Sequence, residues 1–257
     1  MLEYYDLLAR IHRFLVPRTY VEVGVRNGQS LALACEETAC VGIDPAMSIT
    51  FPLPPATTLF HQTSDDFFAT HDLRSVLGGL PVDLAFIDGM HHFEFALRDF
   101  VNLERSGERG SVVLVHDCLP LDRQTSTRER TTDVWSGDVW KLVVCLRRYR
   151  PDLQVATLDV PPTGMGVVMN LDPRSSALAD RFDSLVEEFV PLAYDDVLEP
   201  DKAGPLNQVS HDWASVERLL ASRPTGQRGD RAVARTWSLS RSFATTLRSS
   251  RFRRSRR

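Results

Sequence analysis

Residues 20–44 read YVEVGVRNGQSLALACEETACVGID, and their order decides the fold class. An apolar run leads into Glu22, glycines follow at 24 and 28, a helix is predicted from about Ser30, and a second apolar run ends in Asp44. Strand, glycine turn, helix and strand together form the entrance to a nucleoside-binding βα unit. Gly24 and Gly28 let backbone N–H groups approach a ligand with no Cβ in the way, and a helix starting there directs its positive end at the site. A carboxylate about 20 residues past such a turn, at the tip of the next strand, can accept both ribose hydroxyls. Asp44 follows Gly24 by 20 residues. The spacing differs from the dinucleotide fingerprint G-x-G-x-x-G, because Arg26 occupies the place of the second glycine, where a pyrophosphate would pack.

The chain has 257 residues, of which 43% are hydrophobic, enough for one α/β domain of about 200 residues with extensions. No apolar run approaches the ~18 residues of a membrane span, and Glu3 and Asp6 without an early basic cluster argue against a signal peptide. A cytoplasmic protein is expected. The cysteines at 35, 40, 118 and 145 form no C-x-x-C pair, so buried free thiols are expected rather than a zinc or redox motif. From residue 223 onward there are 11 Arg and one acid, a balance of +10, which leaves 19 basic and 33 acidic groups, −14, on the preceding residues. The reading divides the chain into a capping helix at 1–17, a catalytic domain at 18–222 and a basic tail at 223–257, whose Ser/Arg-rich end has the composition of a disordered segment.

An amphipathic helix is predicted at 2–15 from the spacing of Leu2, Tyr5, Leu8, Ile11 and Leu15. Strands follow near 20–24, 40–43, 57–61, 82–87 and 111–115, with helices near 29–38, 64–77, 91–105 and 138–149. Such alternation implies right-handed crossovers and a doubly wound α/β fold with a parallel sheet covered on both faces. LQVATLDV and MGVVMN, separated by Pro161, Pro162, Thr163 and Gly164, read as a β-hairpin closing the sheet. Helices at 174–190 and 211–221 finish the body, with His211 at a helix start.

In open parallel sheets ligands bind outside the carboxyl ends of the strands. The residues at those ends are polar throughout: Glu22 and the glycine turn, then Asp44, Ser64 with Asp65, Asp88 with His91 and His92, and His116 with Asp117. Isolated turn formers of this kind would mean little; five in order on the ligand-binding edge indicate a site. Strands four and five are expected as neighbours ~4.8 Å apart, which lets Asp88 and Asp117 share one hard cation. His91 falls near the start of the next helix and can face the same cleft.

The pattern E-x-G-x-x-x-G-x-S at 22–30 resembles motif I of class I S-adenosylmethionine-dependent methyltransferases. FIDGMHHFEFALRDF at 86–100, followed by SVVLVHD at 111–117, resembles the FIDG-x-H segment and later acidic pair of a family that includes metal-dependent O-methyltransferases of macrolide sugars and cephamycin-type antibiotics. The resemblance spans about residues 18–170. It implies a Rossmann-like, seven-stranded sheet ending in an antiparallel hairpin, with S-adenosylmethionine held by Glu22, Gly24, Gly28, Ser30, Asp44, Ser64, Asp65 and Asp88. It further implies Mg²⁺ on Asp88 and Asp117, His91 beside the acceptor, and methylation of a hydroxyl on a sugar, glycolipid or other natural product. Two residues depart from the pattern: Met90 stands where relatives often have Asp, and His116 stands where metal-dependent members have the first acid of the pair. An imidazole softens the donor set and brings Mn²⁺ or Fe²⁺ beside Mg²⁺. His116 and Asp117 can both reach a metal only if the strand has ended, since consecutive strand residues face opposite sides.

A sugar hydroxyl is nearly as weak an acid as water, so a histidine alone is a feeble base against it and a bound cation does more. His91 is therefore the expected proton acceptor, with Asp88 and Asp117 on the cation and His92 or His116 in reserve; the alternative for His92 is packing. Residues 118–140 form a long polar segment of the kind used as lids or binding loops. Within it Trp135 is the candidate for stacking on the acceptor, and Trp140 is expected in the core. Two other readings compete. A nicotinamide-dependent oxidoreductase is disfavoured by Arg26 and the terminal hairpin. A nucleic-acid-binding protein acting through the arginine tail is disfavoured by the acidic body, which offers no basic groove. A homo-oligomer is left open.

Overall fold

The computed structural model describes residues 4–199 and 201–224; the basic tail from residue 225 lies outside the described residues. Helix α1 (Tyr4–Leu15) precedes β1 (Thr19–Val23), β2 (Ala39–Ile43) and β3 (Thr57–Phe60). Helices α2 (Ser64–Thr70) and α3 (Leu73–Val76) lead to β4 (Val82–Ile87), α4 (Phe93–Ser106) and β5 (Gly107–His116). Helix α5 (Trp140–Tyr149) then precedes β6 (Gln154–Leu158) and β7 (Met165–Met169), and α6 (Phe182–Phe189), α7 (Tyr194–Leu198), α8 (Ala203–Leu206), β8 (Gln208–Val209) and α9 (Trp213–Ala221) complete the body.

The sheet order is β3-β2-β1-β4-β5-β7-β6-β8. The first five strands are mutually parallel, and β7 lies antiparallel between β5 and β6. This is the doubly wound sheet with a terminal hairpin, and the two-residue β8 extends the seven expected strands by pairing with β6. Alternation along the strands sends Val21, Val23, Ala85, Ile87, Val113 and Val115 to the face covered by α4, α5 and α6. Tyr20, Leu84, Phe86, Val112 and Leu114 go to the opposite face, against α1 and α9. Burial on both sides is why these strands read as unbroken apolar runs. Among the described residues no helix is long and apolar enough to cross a membrane. The four cysteines are free, and all but Cys35 are buried.

Three helices differ from their predicted extent. The segment expected as a helix over 29–38 holds one 3₁₀ turn, Leu31–Leu33, and leaves helical geometry at Ala34. Returning to the start of a five-residue strand takes about 17 Å, whereas the eight residues from 31 to 38 would supply only about 12 Å as an α-helix. The chain must therefore extend, and no helix dipole stands behind the glycine turn. The helix expected over 64–77 is broken at His71–Asp72, where Asp72 accepts from Ser75 N and restarts the chain as α3. The span 174–190 becomes a 3₁₀ turn and the eight-residue α6. His211 precedes α9, which is capped by Asp212, and pairs with Asp159 at 2.6 Å.

Candidate active site

The carboxyl ends of β1, β2, β4 and β5 open onto a cavity of about 750 Å³, within the ~300–1,000 Å³ usual for small-molecule sites. Gly24, Asp44, Ser64, Asp65, Asp88, His91, His116, Asp117 and Trp135 all line it. Glu22, Gly28, Ser30 and His92 do not, and each has a different task.

Glu22 lies one residue short of the end of β1, and strand alternation turns it toward the face covered by the Leu31 turn. It is wholly buried there, accepting from Tyr20 Oη and Ser30 Oγ at 2.6 Å each. Burial raises its pKa to about 8, outweighing the two hydroxyl donors. Glu22 and Ser30 thus brace the floor of the site rather than meeting a ligand. Gly28 (φ +85°) packs against Ile49 and Leu53, closing the turn. His92 donates from Nε2 to Arg128 O, 2.9 Å away, in the packing role the sequence also offered for it.

Gly24 is required on two counts. Its φ is +91°, and a Cβ there would stand 2.0 Å from Asp88 O, so β1 and β4 can close at their tips only around a bare α-carbon. Asp44 accepts from Arg26 N at 2.7 Å and Ala46 N at 2.6 Å, one bond per carboxylate oxygen. A carboxylate has about four acceptor positions, so it retains capacity toward the cavity. Ser64 opens α2, and Asp65 is paired with Arg98 at 2.5 Å.

At the other end, β4 and β5 are paired through Ile87↔Val115, which sets Asp88 beside His116. Strand β5 ends at His116, and Asp117 takes φ +62°. That left-handed residue lets two consecutive side chains face one cavity. His116 Nδ1 lies 3.2 Å from Asp88 Oδ1 and 3.4 Å from Asp117 Oδ1. His91 Nδ1 lies 2.8 Å from Asp117 Oδ2, and its Nε2 3.6 Å from Asp88 Oδ1. Burial disfavours the charged form of both imidazoles, but the Asp117 and Asp88 carboxylates outweigh it, raising His91 and raising His116 further. Asp117 is pulled the other way: burial would raise it, and His116 and His91 hold it well below the usual carboxylate range.

Ligand atoms of Asp88, His116 and Asp117 all fall within 4.8 Å of one another. Both ring nitrogens of His116 and Oδ2 of Asp117 are buried with no aligned hydrogen-bond partner among the described residues. Buried polar atoms left in this state are costly, and a divalent cation would use them. The donor set of one imidazole and two carboxylates therefore fits such an ion.

Several participants were not legible from the strand tips. Tyr4 reaches the cavity from α1, its ring 4.5 Å from that of His116, although the apolar stripe had been drawn through Tyr5. The buried stripe of α1 is Leu7, Leu8, Ile11 and His12. Thr163, from the hairpin loop, donates to Asp117 Oδ1. Asp138 is buried and accepts from Phe93 N at 2.7 Å, from Arg128 at 2.8 Å and from Lys141 at 3.0 Å, fixing the 118–139 loop to the start of α4. Gly137 (φ +58°) lies under His91, where a Cβ would be 1.8 Å from the His91 carbonyl oxygen. Only the loop's length and its terminal S-G-D hinted at these contacts. Trp140 is in the core, as expected.

Residues 21–118 match the family model described as a methyltransferase domain. That stretch, from β1 to Cys118, is similar to a methyltransferase domain. Many solved structures share the chain's architecture. Cofactor-bound Rv0187 from MTB has a TM-score of 0.50 at 15% identity, over 65% of this chain and 79% of that one. The O-methyltransferase TomG from Streptomyces achromogenes, involved in tomaymycin synthesis and solved with SAM, has a TM-score of 0.50 at 16% identity, over 66% of this chain and 80% of its own. At such identities the likeness establishes the fold alone. No curated protein matches the sequence.

Proposed function

We propose that this methyltransferase domain moves the methyl group of S-adenosylmethionine to a hydroxyl of a small molecule, and that Asp88, His116 and Asp117 hold a divalent cation during the reaction. The observation that carries the proposal is one continuous cavity with Gly24 and Asp44 at one end and the His91–Asp117 pair at the other. Gly24, Asp44, Ser64 and Asp65 serve the donor, Asp44 through its remaining acceptor positions toward the ribose.

Asp117 Oδ2 beside His91 Nδ1 favours the tautomer that carries its proton on Nδ1, which leaves Nε2 as the base. The acceptor hydroxyl gives its proton to that nitrogen as its oxygen bonds to the methyl carbon. The methyl–sulfur bond breaks, its electron pair stays on sulfur, and the sulfonium becomes the neutral thioether S-adenosylhomocysteine. Asp117 and Asp88 stabilise the imidazolium until the proton leaves to solvent. A divalent ion bound by the carboxylate–imidazole cluster would lower the pKa of a coordinated hydroxyl. Positioning two reactants in one cavity is worth about 7–11 kcal/mol of the barrier.

Calorimetric titration tests both halves. S-adenosylhomocysteine is expected to bind, and Asp44→Ala to weaken it about tenfold or more, as loss of a charged hydrogen-bond acceptor costs ~1.5–3 kcal/mol. After EDTA dialysis, MnCl₂ or MgCl₂ is expected to give heat with the wild type and none with Asp117→Asn. Absence of heat with S-adenosylhomocysteine defeats the donor assignment; absence of heat with either metal defeats the cation alone.

A further inference from the structure

Resting on that reading, we propose that the acceptor is a hydroxyl borne on a flat aromatic ring, taken up between Trp135 and Tyr4, rather than a free sugar. Each of the two site histidines carries an aromatic neighbour that also lines the cavity. The Trp135 indole is stacked on His91, with ring centroids 5.0 Å apart and planes 9° from parallel, and it is fixed by donation from Nε1 to Thr127 O at 2.7 Å. Tyr4 packs on His116 from an α1 anchored by Leu7, Leu8 and Ile11. A hydroxyl placed between the histidines, over Asp88 and Asp117, leaves the body that carries it against these two rings.

The mouth adds apolar groups beside Arg130 and Asp133. Met90 and Val134, 55% and 38% exposed, are two of the five large hydrophobic side chains exposed among the described residues, and both line this cavity. Phe95 lines it as well. Exposed apolar groups gathered at a cavity mouth mark a binding surface. A sugar brings several hydroxyls, and each one left unpaired against Met90, Phe95 or Val134 would be costly. A flat ring has no such groups to strand and gains from offset stacking. Its hydroxyl is also the easier one to deprotonate, with a pKa near that of tyrosine, about 10.

The test uses the full chain saturated with S-adenosylhomocysteine, in buffer containing MgCl₂ and MnCl₂, with 2-naphthol and methyl β-glucoside as probes. Binding is measured by equilibrium dialysis, and methyl transfer by label from S-adenosylmethionine. The expected result is saturable binding of 2-naphthol, weakened tenfold or more in both Trp135→Ala and Met90→Asp while S-adenosylhomocysteine binds all three proteins alike, with no competition from the glucoside. Methyl β-glucoside binding or being methylated as well as 2-naphthol overturns the proposal, as does naphthol binding that neither substitution alters or that does not occur. Loss of S-adenosylhomocysteine binding by the wild type marks failure of the donor assignment instead.

Discussion

His91 concentrates the chemistry at the level of single residues. Its Nδ1 hydrogen-bonds Trp135 O at 3.3 Å and lies 2.8 Å from Asp117 Oδ2, and its Nε2 lies near Asp88, so one imidazole is both oriented and left with a basic nitrogen. Replacing it with Asn keeps a polar side chain of similar reach but removes the base. His91→Asn is expected to lower kcat about 10²- to 10⁴-fold with S-adenosylhomocysteine affinity unchanged, as steady-state kinetics and calorimetry on the same preparations would show. An equal loss in donor affinity would mean that the side chain shapes the cavity instead. His91 was readable from its place after FIDG, but its partner nitrogen was not, because Asp117 comes from another strand. Glu22 shows the opposite case. Its place in a familiar motif suggested a ligand contact, yet a one-residue offset from the strand end sends its side chain to the other face.

At the level of elements, the strand-to-helix rhythm was legible wherever the apolar period continued for a full element, as in β4, α4 and β5. It failed over 29–38, where the apolar spacing suits a helix but the distance back to β2 does not allow one. The loop at 118–139 had no period to read. Its organisation comes from Asp138, which receives Phe93 N, the Arg128 guanidinium and the buried Lys141 ammonium. Asp138→Ala leaves Lys141 buried without its carboxylate and strips α4 of an N-terminal acceptor. The expected loss is about 3–5 kcal/mol in urea unfolding. Asp138→Asn, which keeps the acceptor for Phe93 N, is expected to lose less and to hold Trp135 closer to its wild-type environment. Proteolysis within 118–139 that increases in the Ala variant would follow from the same loosening, and equal stability of the two variants would contradict it.

The whole molecule carries a pH signature from groups buried on both faces of the sheet. His12 is buried with neither nitrogen hydrogen-bonded among the described residues, and burial lowers its pKa to about 4. Its folded value lies below its unfolded one, so its contribution is lost as pH falls from 6.5 through 4. Burial raises Glu22 to about 8 and Asp99 to about 7, so the stability those protonated groups retain below pH 4 is lost as pH rises through those values. Above about pH 4.5 the two carboxyl losses exceed the single histidine gain, so stability from these groups is expected to fall as pH rises. Between pH 6.5 and 8 Glu22 alone accounts for a fall of about 1.5 kcal/mol. Chemical denaturation across that range should show the decline in the wild type and a flatter profile in Glu22→Gln. A wild-type profile already flat above pH 6.5 would rule the assignment out.

The amino-acid order alone determined the doubly wound class, the strand tips that carry polar groups, and the pairing of a glycine turn with Asp44. Those features are written in short-range periodicity and spacing, which the backbone geometry of strands and helices turns directly into faces and ends. The tertiary structure alone decided which polar groups meet. Tyr4 and Thr163 reach the site from segments 159 positions apart in sequence, and Glu22 and His92 are turned away from it. The physical reason is that cavity lining depends on side-chain direction at a strand's last residue and on contacts between distant segments. A single turn in backbone phase, such as the left-handed Asp117, reverses the first and is dictated by the packing that creates the second.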